Sequence, residues 1–324
     1  MTKSQRFQIS PYWRDHSGKF LLSAQTEKWA EVAALDWSIF EAPFSYVPRR
    51  QPDQATTESE TGNVLYRTDN YAELSAVTSS FAPNQPLETL TFYRQLADFY
   101  DYEFVDAGEL QDGRILWAIL RTGQCCVLGN GDTVSAHLLL STHCDKPVAV
   151  FVNPLCVLSE THSSFPGSSN PLPPVPLPWT VEFLLPDALM DLATLTLELQ
   201  NVTNAMQLMA RQQVTAAVAD DYFMEVLAMQ PLGEPIPKAC TQRRKLHAIQ
   251  ELHLTYASAT SVQTLWGLVR TTMTFVDHSR RFSSPQAHQH YAWFGAGQAR
   301  KQFALQLAYK LSLQPPSTEH NFNY

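Results

Sequence analysis

Between residues 163 and 178 the chain reads SSFPGSSNPLPPVPLP, six prolines and no charge. Proline has no backbone donor and a fixed φ, so the stretch excludes helix and inner strand. It separates two kinds of periodicity. Upstream, apolar residues alternate or form short blocks, the mark of strands. Downstream they recur every three or four residues, the mark of helices. The expected division is a sheet domain over 1–162, a Pro-rich linker over 163–178, a helical region over 179–313 packing on or beside the sheet, and a flexible tail over 314–324.

The upstream part opens with a short helix over 24–35, with Trp29, Val32 and Ala33 on one face, and a strand over 36–47. Residues 48–62 are polar and read as a surface loop or a long hairpin tip. Strands are expected over 64–67 and 74–78, joined by a turn at 68–70. A helix follows over 86–100, with Leu90, Phe92, Tyr93, Leu96 and Phe99 on its apolar side. Strands are then expected over 102–107, 115–120, 127–128, 134–141 and 148–158. The block ILWAIL at 115–120 is apolar throughout, as a central strand requires. Short connections between strands favour antiparallel pairing, with the helix covering one face. Downstream, helices are expected over 186–213, 214–229, 241–256, 261–278 and 296–312; the first carries a stripe of Leu192, Leu195, Leu199, Val202 and Met206. The fold class is α+β: a mainly antiparallel sheet with a packed helix, then a helical C-terminal region.

No run of the 324 residues is apolar for the 18 or more positions a membrane span needs, and residues 1–20 lack the apolar centre of a secretion signal. A cytoplasmic location is expected, without a membrane partner. The five cysteines, Cys125, Cys126, Cys144, Cys156 and Cys240, form no Cys-x-x-Cys pair and are expected to be reduced.

Charge is unevenly placed. Residues 1–235 hold 13 Lys and Arg against 28 Asp and Glu, and residues 236–324 hold 10 against 3. The net charge of −8 therefore hides a part at −15 and a part at +7. Two readings fit. The basic part faces a polyanion, or it packs against acidic partners in the same molecule or a neighbouring copy.

Several small constellations bear on chemistry. His143-Cys144-Asp145 offers ligand atoms but no second cluster, and neighbours on a strand point to opposite faces. Asp277 and His278 with His288 and His290, the latter two on an extended segment, could gather imidazoles. Asp220, Asp221 and Glu225 could attract a cation or form a solvated helix face. Dinucleotide, P-loop, nucleophile-elbow and zinc-protease signatures do not occur. No catalytic residue, metal ligand or cofactor is assigned. The richer region is C-terminal: Arg243, Arg244, Lys245, Arg270, Arg280, Arg281, Arg300 and Lys301 are candidates for phosphate, with Tyr291 and Trp293 as stacking surfaces. Gly295-Ala296-Gly297 precedes a helix whose first turns hold Arg300 and Lys301, a pattern suited to an anion. Asp277 and Arg281, four apart, also fit an ordinary helix ion pair.

Three stretches carry a family resemblance: ELSAVTSSFAPNQPLETLTFYRQLADF with AGELQDGRILWAIL, then HLLLSTHCDKPVAVFVNPLCVL, then TLWGLVRTTMTFVDHSRRF with WFGAGQARKQFALQL. Together they resemble the phage/plasmid-like protein family catalogued as a domain of unknown function (family 932). The third stretch keeps Asp277, His278, Arg281, Gly295, Gly297 and Gln302, while the segments around Phe81, Cys144 and Cys156 depart from the family pattern. The resemblance implies a phage or plasmid setting in a bacterial cell, and a core similar to that of single-strand annealing proteins. The expected function is binding and annealing of single-stranded DNA in recombination, by a homo-oligomer and without catalysis. The alternative is a protein–protein interaction factor that counters a host defence system by binding a host protein through its acidic N-terminal surface.

Overall fold

The computed structural model describes residues 26–46, 57–145, 150–159, 161, 163–167, 175–177, 186–229, 241–258, 263–279 and 281–313. Helix α1 (Thr26–Ala33) leads into a three-stranded antiparallel sheet of β1 (Ile39–Tyr46), β2 (Thr57–Arg67) and β3 (Glu73–Thr78). Strand β2 begins inside the stretch expected to be loop, and residues 47–56 lie outside the described set.

Helix α2 (Pro86–Tyr100) starts where the sequence places it. Proline at the first helical position costs no hydrogen bond, and Asp101 ends the helix in the left-handed region at φ 55°. The residue before it, Gln85, joins helix to sheet. Its side-chain amide accepts from Ile39 N–H at 2.9 Å and donates to Ile39 O at 3.0 Å, as a neighbouring strand would.

The second sheet runs β4 (Glu103–Leu110), β5 (Ile115–Val127), β6 (Thr133–His143), β7 (Val150–Leu158) and β8 (Ser164–Pro166), all antiparallel. Strand β5 absorbs both the expected 115–120 strand and the separate one at 127–128, with an irregularity between Arg121 and Cys125. Its apolar block is buried on both sides. Leu116, Ala118 and Leu120 join a large core with α2. Ile115, Trp117 and Ile119 join a second cluster with Ala292 and Trp293.

Two described parts of the Pro-rich segment pair with the sheet. Strand β8 pairs with Leu155–Val157 of β7, and β9 (Val175–Leu177) pairs with Val150–Val152 of the same strand. Both lie at the sheet edge, where missing donors are tolerated. Gly167 donates to Pro154 O at 2.9 Å, and a Cβ there would come within 2.6 Å of Leu199 and 2.7 Å of Pro154. Glycine is needed for that approach.

The remaining helices are α3 (Pro186–Arg211), α4 (Ala216–Ala228), α5 (Thr241–Ser258), α6 (Leu265–His278), α7 (Pro285–Trp293) and α8 (Ala296–Ser312). Leu199, Val202 and Met206 of α3 are buried in the large core, as their spacing predicts. So are Phe223 of α4, Trp266 of α6 and Leu305 of α8, in one cluster with the sheet residues. The sheet and the helices thus share a core across the expected linker. Helix α7 replaces an expected extended segment; Ser284 caps it, its hydroxyl accepting from Ala287 N–H at 3.1 Å, and Pro285 takes the first position. Among the described residues no helix is long and apolar enough to cross a membrane.

Trp117 and Trp293 meet edge to face, centroids 4.9 Å apart, and tie α7 to the sheet. Trp293→Ala is expected to cost about 3–5 kcal/mol, read from the urea unfolding midpoint. Leu254→Ala, at a residue 73% exposed, is expected to stay within about 0.5 kcal/mol.

Candidate functional site

The predicted phosphate contacts divide when placed on the fold. Arg270 and Lys301 are buried, 8% and 1% exposed. Helix α6 is held at its start by Thr264, whose hydroxyl accepts from Gly267 N–H at 3.1 Å, and by backbone bonds of Val214 to Gln263 O and Leu265 to Gln212 O. That start delivers Trp266 and Arg270 to Asp132, in the turn between β5 and β6. Arg270 Nη1 lies 2.7 Å from Asp132 Oδ1, while Trp266 Nε1 and Asn130 Nδ2 donate to Oδ2 at 2.7 and 2.8 Å. A fully buried carboxylate is tolerable only with donors on both oxygens, and here both have them. Arg270 is an internal partner, which corrects its reading as a phosphate contact.

Lys301 is corrected for the same reason. Its Nζ donates to Asp277 Oδ1 at 2.9 Å and to Ser164 O at 2.7 Å, and Asp277 Oδ2 accepts from Ser164 N–H at 3.1 Å. Burial pushes the Asp277 carboxyl up and the Lys301 ammonium down, and each charge opposes the shift of the other. Asp277 therefore pairs with Lys301 of α8 rather than with Arg281. This pair fastens β8, α6 and α8 to one point.

Trp293 is 4% exposed, in the cluster with Trp117, and presents no free stacking face. Tyr291 is half-buried, its ring 5.1 Å from Phe282. A Cβ on Gly297 would reach within 2.5 Å of that ring. The Gly-Ala-Gly motif thus serves close packing of α7 on α8. Arg281 is exposed and Arg300 half-buried, with its Nε enclosed and lacking a hydrogen-bond partner. Arg280 lies outside the described residues, as do the side chains of Arg243, Arg244 and Lys245 at the start of α5.

The histidine readings also change. His288 and His290 sit on α7, and two residues apart on a helix point about 200° away from each other. His288 stacks on Phe282, centroids 4.3 Å apart, and burial lowers its pKa to about 4. His290 meets Gln111 at 2.8 Å on the wall of a cleft of about 510 Å³, lined also by Glu109, Asp112, Ser284 and Gln286. His278 Nε2 lies 3.2 Å from Thr161 O, and Asp220 is paired with His253 at 2.7 Å. Among the described residues no group of three or more His, Cys, Asp or Glu is arranged to hold a metal ion. Cys125, Cys126, Cys144 and Cys156 are free thiols; burial pushes Cys144 and Cys156 up to about 12. A second cleft, of about 420 Å³, brings Cys126 and Cys156 near Gln200, Thr203 and Asn204 of α3.

Two features went unread in the sequence. Arg67 is buried between two acids: Nη1 meets Glu109 at 2.6 and 2.7 Å, and Nε and Nη2 meet Asp69 at 2.9 and 2.8 Å. Its guanidinium lies 4.0 Å above the Trp37 ring. On the opposite face of the three-stranded sheet, Phe40, Tyr66 and Tyr71 form an outward aromatic row. The alternation around buried Ile39 and Leu65 was the signal for it.

Residues 73–154 match the family model described as Domain of unknown function (DUF932), a span from β3 through α2 into β7. No curated protein and no solved structure matches the chain.

Removing one member of a buried ion pair strands the other. Lys301→Met is expected to destabilise the protein by about 3–5 kcal/mol. Lys301→Met combined with Asp277→Asn should cost less than the two single changes added, measured by urea unfolding. The His288 imidazole stays neutral in the folded chain down to about pH 4, whereas the unfolded chain protonates near 6.5. Its contribution to stability is complete above pH 6.5 and is lost as pH falls through about 4. The difference in unfolding midpoint between the native chain and His288→Gln should change across that window and be flat above it.

Proposed function

We propose that this protein works by docking another protein, as a non-catalytic interaction factor of a phage or plasmid in the bacterial cytoplasm. The observation that supports this reading is where the charges go. Two of the cations best placed for phosphate, Arg270 and Lys301, are consumed by Asp132 and Asp277 inside the protein. Acidic groups of the N-terminal half, Glu73 among them, stay at the surface beside exposed aromatics. Such a surface attracts a basic partner and repels a phosphate backbone. The partner suited to it is a host protein with a basic face, as a defence protein that handles nucleic acid would have.

Single-stranded DNA binding and annealing by an oligomer is the second reading. It is favoured by exposed Arg281 and by the basic run at the start of α5. One experiment separates the two. A labelled single-stranded oligonucleotide and labelled polyarginine are each titrated with the protein across a salt series, with light scattering on the same samples. Polyarginine is expected to bind, less tightly as salt rises, and the oligonucleotide is not. Salt-dependent oligonucleotide binding by a large oligomer, weakened by Arg281→Ser with Arg300→Ser, would overturn the docking reading in favour of annealing.

A further inference from the structure

We infer that the outer face of the three-stranded sheet is a binding platform for arginine side chains of a partner protein. This rests on the docking reading and names the site and the chemistry it takes.

Three observations converge. The first is an aromatic row in the open. Phe40 is 57% and Tyr71 78% exposed, although such side chains are usually at least half covered. Phe40 and Tyr66 are cross-strand partners, rings 6.4 Å apart and edge to face. Tyr66 and Tyr71 are also 6.4 Å apart, with planes only 23° from parallel. That separation is at the long end for an aromatic pair.

The second is backbone conformation. Tyr71 has φ 60°, the left-handed region that a bulky residue rarely enters. The β2–β3 turn holds it there: Tyr71 N–H donates to Arg67 O at 3.2 Å, and Asn70 Oδ1 accepts from Ala72 N–H at 2.8 Å. Asparagine or glycine would occupy the position at lower cost. The turn instead holds a tyrosine that is 78% exposed and whose ring, among the described residues, meets that of Tyr66.

The third is charge. Glu73 is the register partner of Tyr66 and is exposed, whereas Asp69 in the neighbouring turn is already held by Arg67. Among the described residues of these three strands the one cation is Arg67, buried on the other side of the sheet. Aromatic faces beside carboxylates suit a guanidinium, which is flat, stacks on rings and keeps its edge free for oxygen acceptors. The protein uses the same contact internally, with Arg67 over Trp37 at 4.0 Å and Arg94 over Trp29 at 4.9 Å. A nucleic-acid strand would also find rings to stack on, but its phosphates would face the Glu73 carboxylate. The acidic rim therefore favours arginine of a protein partner.

The test uses the full chain and labelled ten-residue peptides of alternating Gly and Arg, or Gly and Lys, read by fluorescence anisotropy. The arginine peptide should bind more tightly than the lysine peptide of equal charge. Phe40→Ala and Tyr71→Gly should each weaken it about fivefold or more. Tyr71→Gly should not lower the unfolding midpoint, because the ring is exposed and glycine suits the φ of residue 71, and Phe40→Ala should lower it only slightly, through loss of the edge contact with Tyr66. Glu73→Gln should weaken binding and reduce its salt dependence. Equal affinity for the two peptides, or affinity unchanged in Phe40→Ala and Tyr71→Gly, would overturn the platform while leaving docking at another face intact. Oligonucleotide binding lost in those two variants would overturn it in favour of base stacking. Failure to bind any basic peptide would overturn both the platform and the docking reading.

Discussion

A strand that is apolar on both faces must be covered on both, and β5 imposes that demand on the whole chain. Helix α2 covers part of one face through Leu90, Tyr93 and Leu96. Tyr93 also donates its hydroxyl to Leu116 O at 3.1 Å, so the contact is polar as well as apolar. The other face has no helix near it in sequence. It is covered by Trp293, which arrives only after the chain has passed through β8, β9 and the long helices. Long-range closure of this kind explains why the C-terminal helices and the sheet share a core rather than forming two units.

That closure needs fixed points, and the buried ion pairs supply them. Asp132 holds α6 to the turn between β5 and β6, and Asp277 with Lys301 holds β8 to α6 and α8. Replacing such pairs by apolar residues often leaves stability unchanged. Their use here fits a demand for register: three elements meet at Ser164, and an ion pair with directional partners admits fewer arrangements than a greasy contact does. The same residues resemble a nucleic-acid site in sequence because a cation on a helix looks identical whether its carboxylate partner is inside the protein or its phosphate partner is outside.

The surface left after these pairings carries the groups offered to solvent. It is acidic and aromatic over the N-terminal sheet, with Arg281 exposed on the far side of the chain from it in sequence. An exposed tyrosine held at positive φ, beside a second tyrosine and a carboxylate, has no role in the core. The proposed docking face would account for it with residues already in place.

Local features were legible in the sequence because they depend on near neighbours. Helix α2 is bounded by Pro86 and a left-handed Asp101, and helix α3 by a stripe that is buried where described. The hairpins follow from alternation and short turns, so the α+β class and the antiparallel order could be read directly. The fate of the Pro-rich segment could not, because edge pairing of β8 and β9 with β7 depends on an acceptor strand that sequence does not identify. Helix α7 was hidden by a short, mixed pattern in which His288 and His290 drew more notice than its cap at Ser284. Beside the local pair with Asp69, Arg67 meets Glu109 at 42 residues' distance, and the partners of Arg270 and Lys301 are 138 and 24 residues away. Only tertiary structure decides whether a cation so placed meets a carboxylate or solvent, since distance along the chain carries no information about burial.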